Sequence, residues 1–338
     1  PCTEKDYERV LAKLLEEPWK ADQSPWEALV VKNYLKEGSP GPKTLIIFRC
    51  DHVLADGYSL LGLVRNAFEC PFVIPEACRS MPPVSIWEWI HCSLRMPFDV
   101  ANTILLTIWK ANLAKRDKSA DAICSITSPI PVETIKTLKR HFKVSFAAVT
   151  QFIVQGALGR ALRSVGKDVP DWLSTSFILP LPNHPEGMCI HASPMAAHFA
   201  CEGDPSIRLQ QTHEEIRKLT LPFTAMSYVY FLYMLGYLPV VIRKWITLGG
   251  SEKGPDYVMT HFPVASSKEY LDGLEVLDVL PSLSSIGSIG MTVASGGVNN
   301  QQRFTFFMDR NLFESEEAVS RISYFMQEEL HTLLQEIV

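Results

Sequence analysis

The 338-residue chain predicts an α/β fold built on a mixed sheet. Two observations carry that expectation. Short strand-forming runs recur along the chain and are interleaved with longer segments of helical period. No internal repeat and no low-complexity tract breaks the pattern.

The elements follow in order. Residues 4–17 predict a helix, because Tyr7, Val10, Leu11, Leu14 and Leu15 share one face and Glu and Lys share the other. A proline break at Pro25 leads into a strand over residues 24–31. Gly38 to Pro42 reads as a turn, and a second strand follows at 44–50. A helix is expected at about 57–68, bearing Leu60, Leu61, Leu63 and Val64. Residues 70–83, rich in Pro and Cys, predict an irregular stretch.

Residues 84–114 are apolar and aromatic, with Trp87, Trp89, Ile90, Leu94, Phe98 and Trp109, and close on Lys110, Lys115, Arg116 and Lys118. Such a helix either packs on its own domain or faces a membrane or partner. Lys115 to Asp121 is polar and reads as a linker. Pro131 then starts a helix bearing Ile135 and Leu138, and Ser145 caps an apolar helix running to about Leu162. Strands are expected at 174–181 and 193–201, and a helix at 204–219. Further strands are expected at 256–262, 273–279, 287–295 and 302–308, then a terminal helix at 314–337. Gly249-Gly250 and Gly296-Gly297 read as turns; neither is followed by the Lys-Ser/Thr of a phosphate loop.

Composition bounds the function. Hydrophobic residues make up 47% of the chain and charged residues 20%, enough for a large core in one large or two medium units. A net charge of -5, with Lys and Arg scattered, speaks against a nucleic-acid partner. Eight cysteines show neither zinc spacing nor a small disulfide framework, so free buried thiols in a reducing compartment are expected. The chain begins with Pro and carries no signal-like start, which reads as a processed or truncated chain. The apolar run Tyr228 to Ile242 is shorter than the roughly 20 residues a span needs, and Pro239 interrupts it. Arg243, Lys244 and Trp245 follow it, so it reads either as a buried helix or as one lying in the headgroup layer.

The most informative run is Asp51-His52-Val53-Leu54-Ala55-Asp56-Gly57, a His-x-x-x-Asp-Gly pattern at the end of a strand. A histidine there, with an acid and a glycine close behind, suits the deprotonation of a hydroxyl. The carboxylate would fix the local backbone, and the glycine would allow a turn closed to other residues. A lone histidine is more often a satisfied core residue, so the weight of this motif rests on its context. His184, His191 and His198 are spaced by seven, which fits no helical ligand pair; solvated or strand positions are expected, with no metal site.

That context resembles the wax ester synthase/diacylglycerol acyltransferase family, within the chloramphenicol acetyltransferase-like superfamily. Four segments match in order: Pro25-Trp26-Glu27; Asp51-His52 through Asp56-Gly57; Val258-Met259-Thr260-His261-Phe262-Pro263-Val264; and Gly287 to Asp309 with Gly296-Gly297 inside it. Three departures stand out. Asp51 replaces the first histidine of a pair, His261 and Val264 replace Asn and Gly, and Phe146, Ala147 and Ala148 occupy the place of an Asn-Asp pair.

The resemblance implies two mixed-sheet halves around a central tunnel: an N-terminal half at 1–114 that normally carries further upstream sequence, a linker at 115–127 and a C-terminal half at 128–338. It implies acyl transfer from acyl-CoA, as co-substrate and without a resident cofactor, to a lipid alcohol such as a fatty alcohol or diacylglycerol. The expected place is the cytosolic face of the endoplasmic reticulum membrane or a lipid droplet. His52 would be the general base, and Asp56 would pair with an arginine and hold the loop. Gly57 would let the chain turn into the next helix, and Thr260 and His261 are candidate donors to the oxyanion. Two rivals remain: a non-catalytic lipid-binding or carrier protein on the same fold, favoured by the altered segments, and transfer to a small soluble alcohol or amine, disfavoured by the apolar run at 228–242.

Overall fold

The structure, a computed structural model, describes residues 2–68, 85–108, 113, 121–181, 184–185, 187–219, 222–252, 254–285, 289–313 and 315–337. The expected irregular stretch at 70–83 and most of the polar run at 115–121 lie outside these residues.

The chain opens with the two-residue strand β1 (Cys2–Thr3) and helix α1 (Glu4–Glu16). Thr3 and Asp6 form a reciprocal capping box that fixes where α1 begins. Strands β2 (Trp26–Leu35) and β3 (Lys43–Cys50) pair antiparallel, and β1 pairs parallel to β2, giving a three-stranded sheet in the order β1-β2-β3. Alternation along the strands decides its faces. Leu29, Val31, Leu45 and Ile47 turn inward onto Tyr7 and Leu11 of α1. Trp26, Val30, Ile46 and Phe48 turn outward and are exposed. Helices α2 (Gly57–Phe68) and α3 (Ile86–Ile108) follow.

Strand β4 (Ala122–Ile126) pairs antiparallel with a strand at the far end of the chain. This corrects the expected linker at 115–127: its apolar Ala-Ile-Cys-Ser-Ile run is a sheet strand, and Cys124 and Ile126 pack with α1. Next come β5 (Ile130–Pro131), α4 (Val132–Phe142), α5 (Phe146–Ser164), β6 (Trp172–Pro180), β7 (Ala192–Ala200) and α6 (Pro205–Leu219). Then come α7 (Pro222–Tyr237), α8 (Val240–Glu252), β8 (Tyr257–Val264), the hairpin β9 (Glu269–Leu271) and β10 (Leu274–Val276), β11 (Met291–Gly297) and β12 (Gln301–Asp309). Helices α9 (Glu316–Ser320) and α10 (Ile322–Gln335) end the fold.

The large sheet runs β4-β12-β11-β8-β6-β7, with β5 beside β12. Its β11–β8 and β8–β6 pairs are parallel and the others antiparallel, so the sheet is mixed. Helix α5 is buried along most of its length: Phe152, Ile153, Leu158 and Leu162 pack in one core with Phe304 and Phe306 of β12 and Phe325 and Leu330 of α10, and the buried Gln151 and Gln155 hydrogen-bond to Tyr257. Two buried ionic clusters stand out. Glu329 lies between Arg160 and Arg208, and Arg303 binds Asp278, Glu4 and the Thr127 carbonyl.

Several expectations need correction. Gly249-Gly250 lies inside α8 rather than in a turn. Gly296-Gly297 ends β11, and the turn proper is formed by Asn299 and Asn300, both left-handed with φ of 57° and 59°. The Gly297 position admits no side chain, since a Cβ there would lie 1.9 Å from the Gln301 carbonyl oxygen. The terminal helix is two helices, divided at Arg321. The expected strand at 273–279 is the shorter β10, and its partner β9 was not anticipated. No described helix is long and apolar enough to cross a membrane.

Candidate active site

The loop between β3 and α2 carries His52. Its shape follows from Asp51, whose carboxylate accepts from the Val53 amide at 2.9 Å while its own amide donates to the Pro25 carbonyl at 2.8 Å. Pro25-Trp26-Glu27 and the His motif are thus neighbours. Glu27 in turn pairs with Arg49 at 2.7 Å.

Among the described residues His52 is held by one side-chain hydrogen bond, Nδ1 to the Ala55 carbonyl at 2.8 Å. A carbonyl oxygen only accepts, so Nδ1 carries the proton and Nε2 of the neutral ring keeps its lone pair. The residue is exposed, whereas Ala55 and Asp56 behind it are buried.

Asp56 accepts from the amides of Ser59 at 2.9 Å and His191 at 2.7 Å. It also accepts from His184 Nε2, at 3.0 and 3.1 Å to its two oxygens. Burial pushes its pKa up, but these donors and the nearby histidine outweigh burial and hold the carboxyl below its ordinary value. The expected arginine partner is therefore corrected: the ring facing Asp56 is His184. His184 and His191 are not solvated strand histidines either, since their rings meet edge to face at 5.5 Å beside Asp56. His198 is a strand residue as expected, with its ring stacked at 3.9 Å on Trp172.

Gly57 begins α2, but it has no left-handed φ. The expectation of a special turn is corrected to one of close packing: a Cβ here would lie 2.8 Å from the Phe262 ring. Phe262 belongs to β8, where pairing with β11 slips from Ser295↔His261 to Gly297↔Val264. The extra residue accommodates Pro263 and forms a bulge, a device that re-aims side chains beside a site.

Thr260 and His261 lie on that strand. His261 Nδ1 is 2.7 Å from the Ser295 hydroxyl, and its ring stacks on Phe177. Its Nε2 is sealed from solvent and makes no hydrogen bond among the described residues. Burial pushes its pKa down to about 4, so the ring is neutral near pH 7. In the tautomer where the serine hydroxyl donates to Nδ1, Nε2–H is a donor with no acceptor among the described residues.

Asp56, Gly57 and Tyr58 on one side and Ile178, Thr260, His261 and Phe262 on the other line one cleft between α2 and the large sheet, with about 30 Å³ of free space. The structure thus brings together Asp56, Gly57, Thr260 and His261. His52 stands on the loop just before the cleft and does not line it. The residue missed from sequence is His184, which lies 128 positions from Asp56.

No family model matches the chain, and neither does any curated protein. Solved structures do match. A wax ester synthase/diacylglycerol acyltransferase from Marinobacter aquaeolei VT8 superposes with a TM-score of 0.65 at 13% identity, over 99% of this chain and 77% of that one. The SgcC5 protein from Streptomyces globisporus follows with a TM-score of 0.53 at 10% identity, over 98% and 76%. A condensation domain of the enacyloxin polyketide synthase has a TM-score of 0.51 at 15% identity, over 92% and 61%. The chain therefore has the chloramphenicol acetyltransferase-like fold, and the resemblance read in its motifs extends to its architecture. Identities this low show the fold alone.

Proposed function

We propose that the protein is an acyl-CoA-dependent O-acyltransferase that esterifies a lipid alcohol, a fatty alcohol or diacylglycerol. The carrying observation is the hydrogen bond from His52 Nδ1 to the Ala55 carbonyl, which leaves Nε2 basic. In this reading Nε2 takes the alcohol proton as the alcohol oxygen attacks the thioester carbon. The carbonyl becomes an oxyanion, with Thr260 and His261 Nε2–H as its donors. When the intermediate collapses the carbon–sulfur bond breaks, and the imidazolium returns its proton to the departing CoA thiolate. No covalent acyl-enzyme is required.

The lipid acceptor is supported by surface chemistry. Helices α3 and α7 meet through Trp89 and Tyr230 at 4.8 Å. Together with α8 they expose Trp87, Leu94, Phe98, Tyr237, Val241 and Trp245. Exposed apolar surface of this kind, followed by Arg243 and Lys244, suits a membrane or lipid-droplet surface. Co-sedimentation with phospholipid vesicles is expected; a protein that stays in the supernatant would remove this part of the reading.

A second reading is a lipid carrier without catalysis. It is favoured by the exposure of His52, which stands outside the cleft that Asp56, Thr260 and His261 line. Incubation with labelled acyl-CoA and a panel of alcohols separates the two. The enzyme reading expects ester from the parent chain and at least about a 10²-fold loss in His52→Ala. Equal rates from both would end the base assignment, and lipid bound but never esterified would establish the carrier.

A further inference from the structure

We infer that His184 is a positioning residue for His52, acting as the charged partner of Asp56. This inference rests on the acyltransferase reading only in calling the effect catalytic. Its geometry begins with one peptide group. The Ala55–Asp56 peptide presents its carbonyl to His52 Nδ1 and its amide to the Cys189 carbonyl, the latter at 2.9 Å. The plane of that peptide sets the direction of the His52 ring, and it is clamped at both ends.

The segment between β6 and β7 supplies the clamp. Ser59 Oγ donates to the Cys189 carbonyl at 2.9 Å and accepts from the Cys189 amide at 3.2 Å. The His191 amide reaches one oxygen of Asp56. His184 closes the arrangement with its ring: Nε2 faces the Asp56 carboxylate, and Nδ1 faces the Pro185 carbonyl at 2.7 Å.

Both oxygen partners of that ring are acceptors only. A neutral imidazole has one donor, so it would set a lone pair against an oxygen at one of the two contacts. Only the imidazolium donates at both. The side chains of His184 and Asp56 are 11% and 3% exposed, so the charge pair works with little screening. Among the described residues, the other titratable groups at the ring are Tyr58, with its ring 5.8 Å away, His191, and Cys189 with its sulfur 3.9 Å from Nε2. None of them supplies a second fixed cation. An arginine at this place would be charged at every pH; a histidine gives the carboxylate a cationic partner only while doubly protonated.

The test is nitrogen NMR on protein labelled at histidine, at a pH where His52 is neutral, joined to kinetics. In the unmutated protein His184 is expected to show two protonated nitrogens, and His52 a protonated Nδ1 with a bare Nε2. In His184→Ala, His52 is expected to lose its single tautomer and kcat to fall 10- to 100-fold with the KM for acyl-CoA unchanged. His184→Arg is expected to restore the tautomer. A singly protonated His184 in the unmutated protein would overturn the inference, as would a folded His184→Ala in which the His52 tautomer and kcat persist. If His184→Ala does not fold, the spectrum of the unmutated protein decides. Should no ester form under any condition, the functional reading fails, and the two histidine spectra still decide this one.

Discussion

At the scale of single residues, the chemistry turns on two histidines held in opposite ways. His52 is exposed and fixed by one carbonyl, so its ring keeps a basic nitrogen. The His261 ring packs against Phe177 and Ser295 with its Nε2 cut off from solvent, and burial lowers its pKa to about 4. An unfolded chain protonates this histidine near pH 6.5, whereas the folded chain does not until about pH 4. Its contribution to stability is therefore complete above pH 6.5 and declines on acidification to pH 4, by about 3 kcal/mol. Urea unfolding at pH 7.5 and pH 4, compared between the parent and His261→Asn, measures this. Comparing the two proteins cancels other groups, such as Glu8, whose pKa burial raises and whose effect on stability has the opposite sign in part of that window. Asp56 acts lower still: its carboxyl is held below 3.8, so its contribution persists through the window and is lost only as pH falls through that lower value. Equal acid losses in both proteins would show that the His261 ring takes up protons in the folded state. If Nε2–H meets the oxyanion, His261→Ala is also expected to lower kcat about 10²- to 10³-fold.

At the scale of elements, two substitutions probe how the helices are seated. Ser145 caps α5 by accepting from the Ala148 amide at 3.1 Å, and Ser145→Ala is expected to cost about 1 kcal/mol in chemical unfolding. Gly156, in the middle of α5, faces α10, where a Cβ would lie 2.0 Å from Glu329 Oε2. Glu329 cannot move aside, because Arg160 and Arg208 hold its two oxygens. Gly156→Ala is therefore expected to cost about 2–4 kcal/mol, well beyond a surface Gly→Ala change, with the loss read in the unfolding midpoint. The two positions were not equally legible in sequence. Ser145 could be read because capping is a local rule acting within one turn. The role of Gly156 could not, because its reason lies on another helix. Gly57 shows the same limit: its place in the motif was visible, but its reason is the Phe262 ring on a distant strand. Asp56 was recognised and its partner was not, since nothing local marks His184 as the ring that crosses to it.

At the scale of the whole molecule, apolar patterning and a few motifs in a fixed order made the architecture legible, at an identity to solved relatives too low to carry the site. What the pattern could not show is how the N-terminal sheet is fastened to the large one. The fastening is an ionic knot. Arg303 on β12 reaches Glu4 at the start of α1, the Thr127 carbonyl after β4, and Asp278, which also binds Lys36 just after β2. One guanidinium thus joins the first helix, the edge of the large sheet and the segment after β10. Its side chain is only 6% exposed, so removing it strands the half-buried Glu4 carboxylate and leaves Asp278 with Lys36 as its remaining cation. Arg303→Met is expected to cost about 3–5 kcal/mol, whereas Arg9→Met, which loses only an exposed pair with Asp6, should change stability by under about 0.5 kcal/mol. The loss should also be uneven. The large core around α5 does not contain Arg303, whereas α1, β2 and β3 contact the rest of the molecule largely through this knot and through Tyr7, Leu11 and Ile47 packed on Cys124 and Ile126. Limited proteolysis of Arg303→Met is expected to cut within residues 2–50 well before it cuts the large sheet. Because the loop bearing His52 continues directly from β3, ester formation should fail at the temperature where those first cuts appear, below the temperature at which α5 and β12 unfold. Simultaneous cutting of both regions would show that the two sheets unfold as one unit and that the knot is not what joins them.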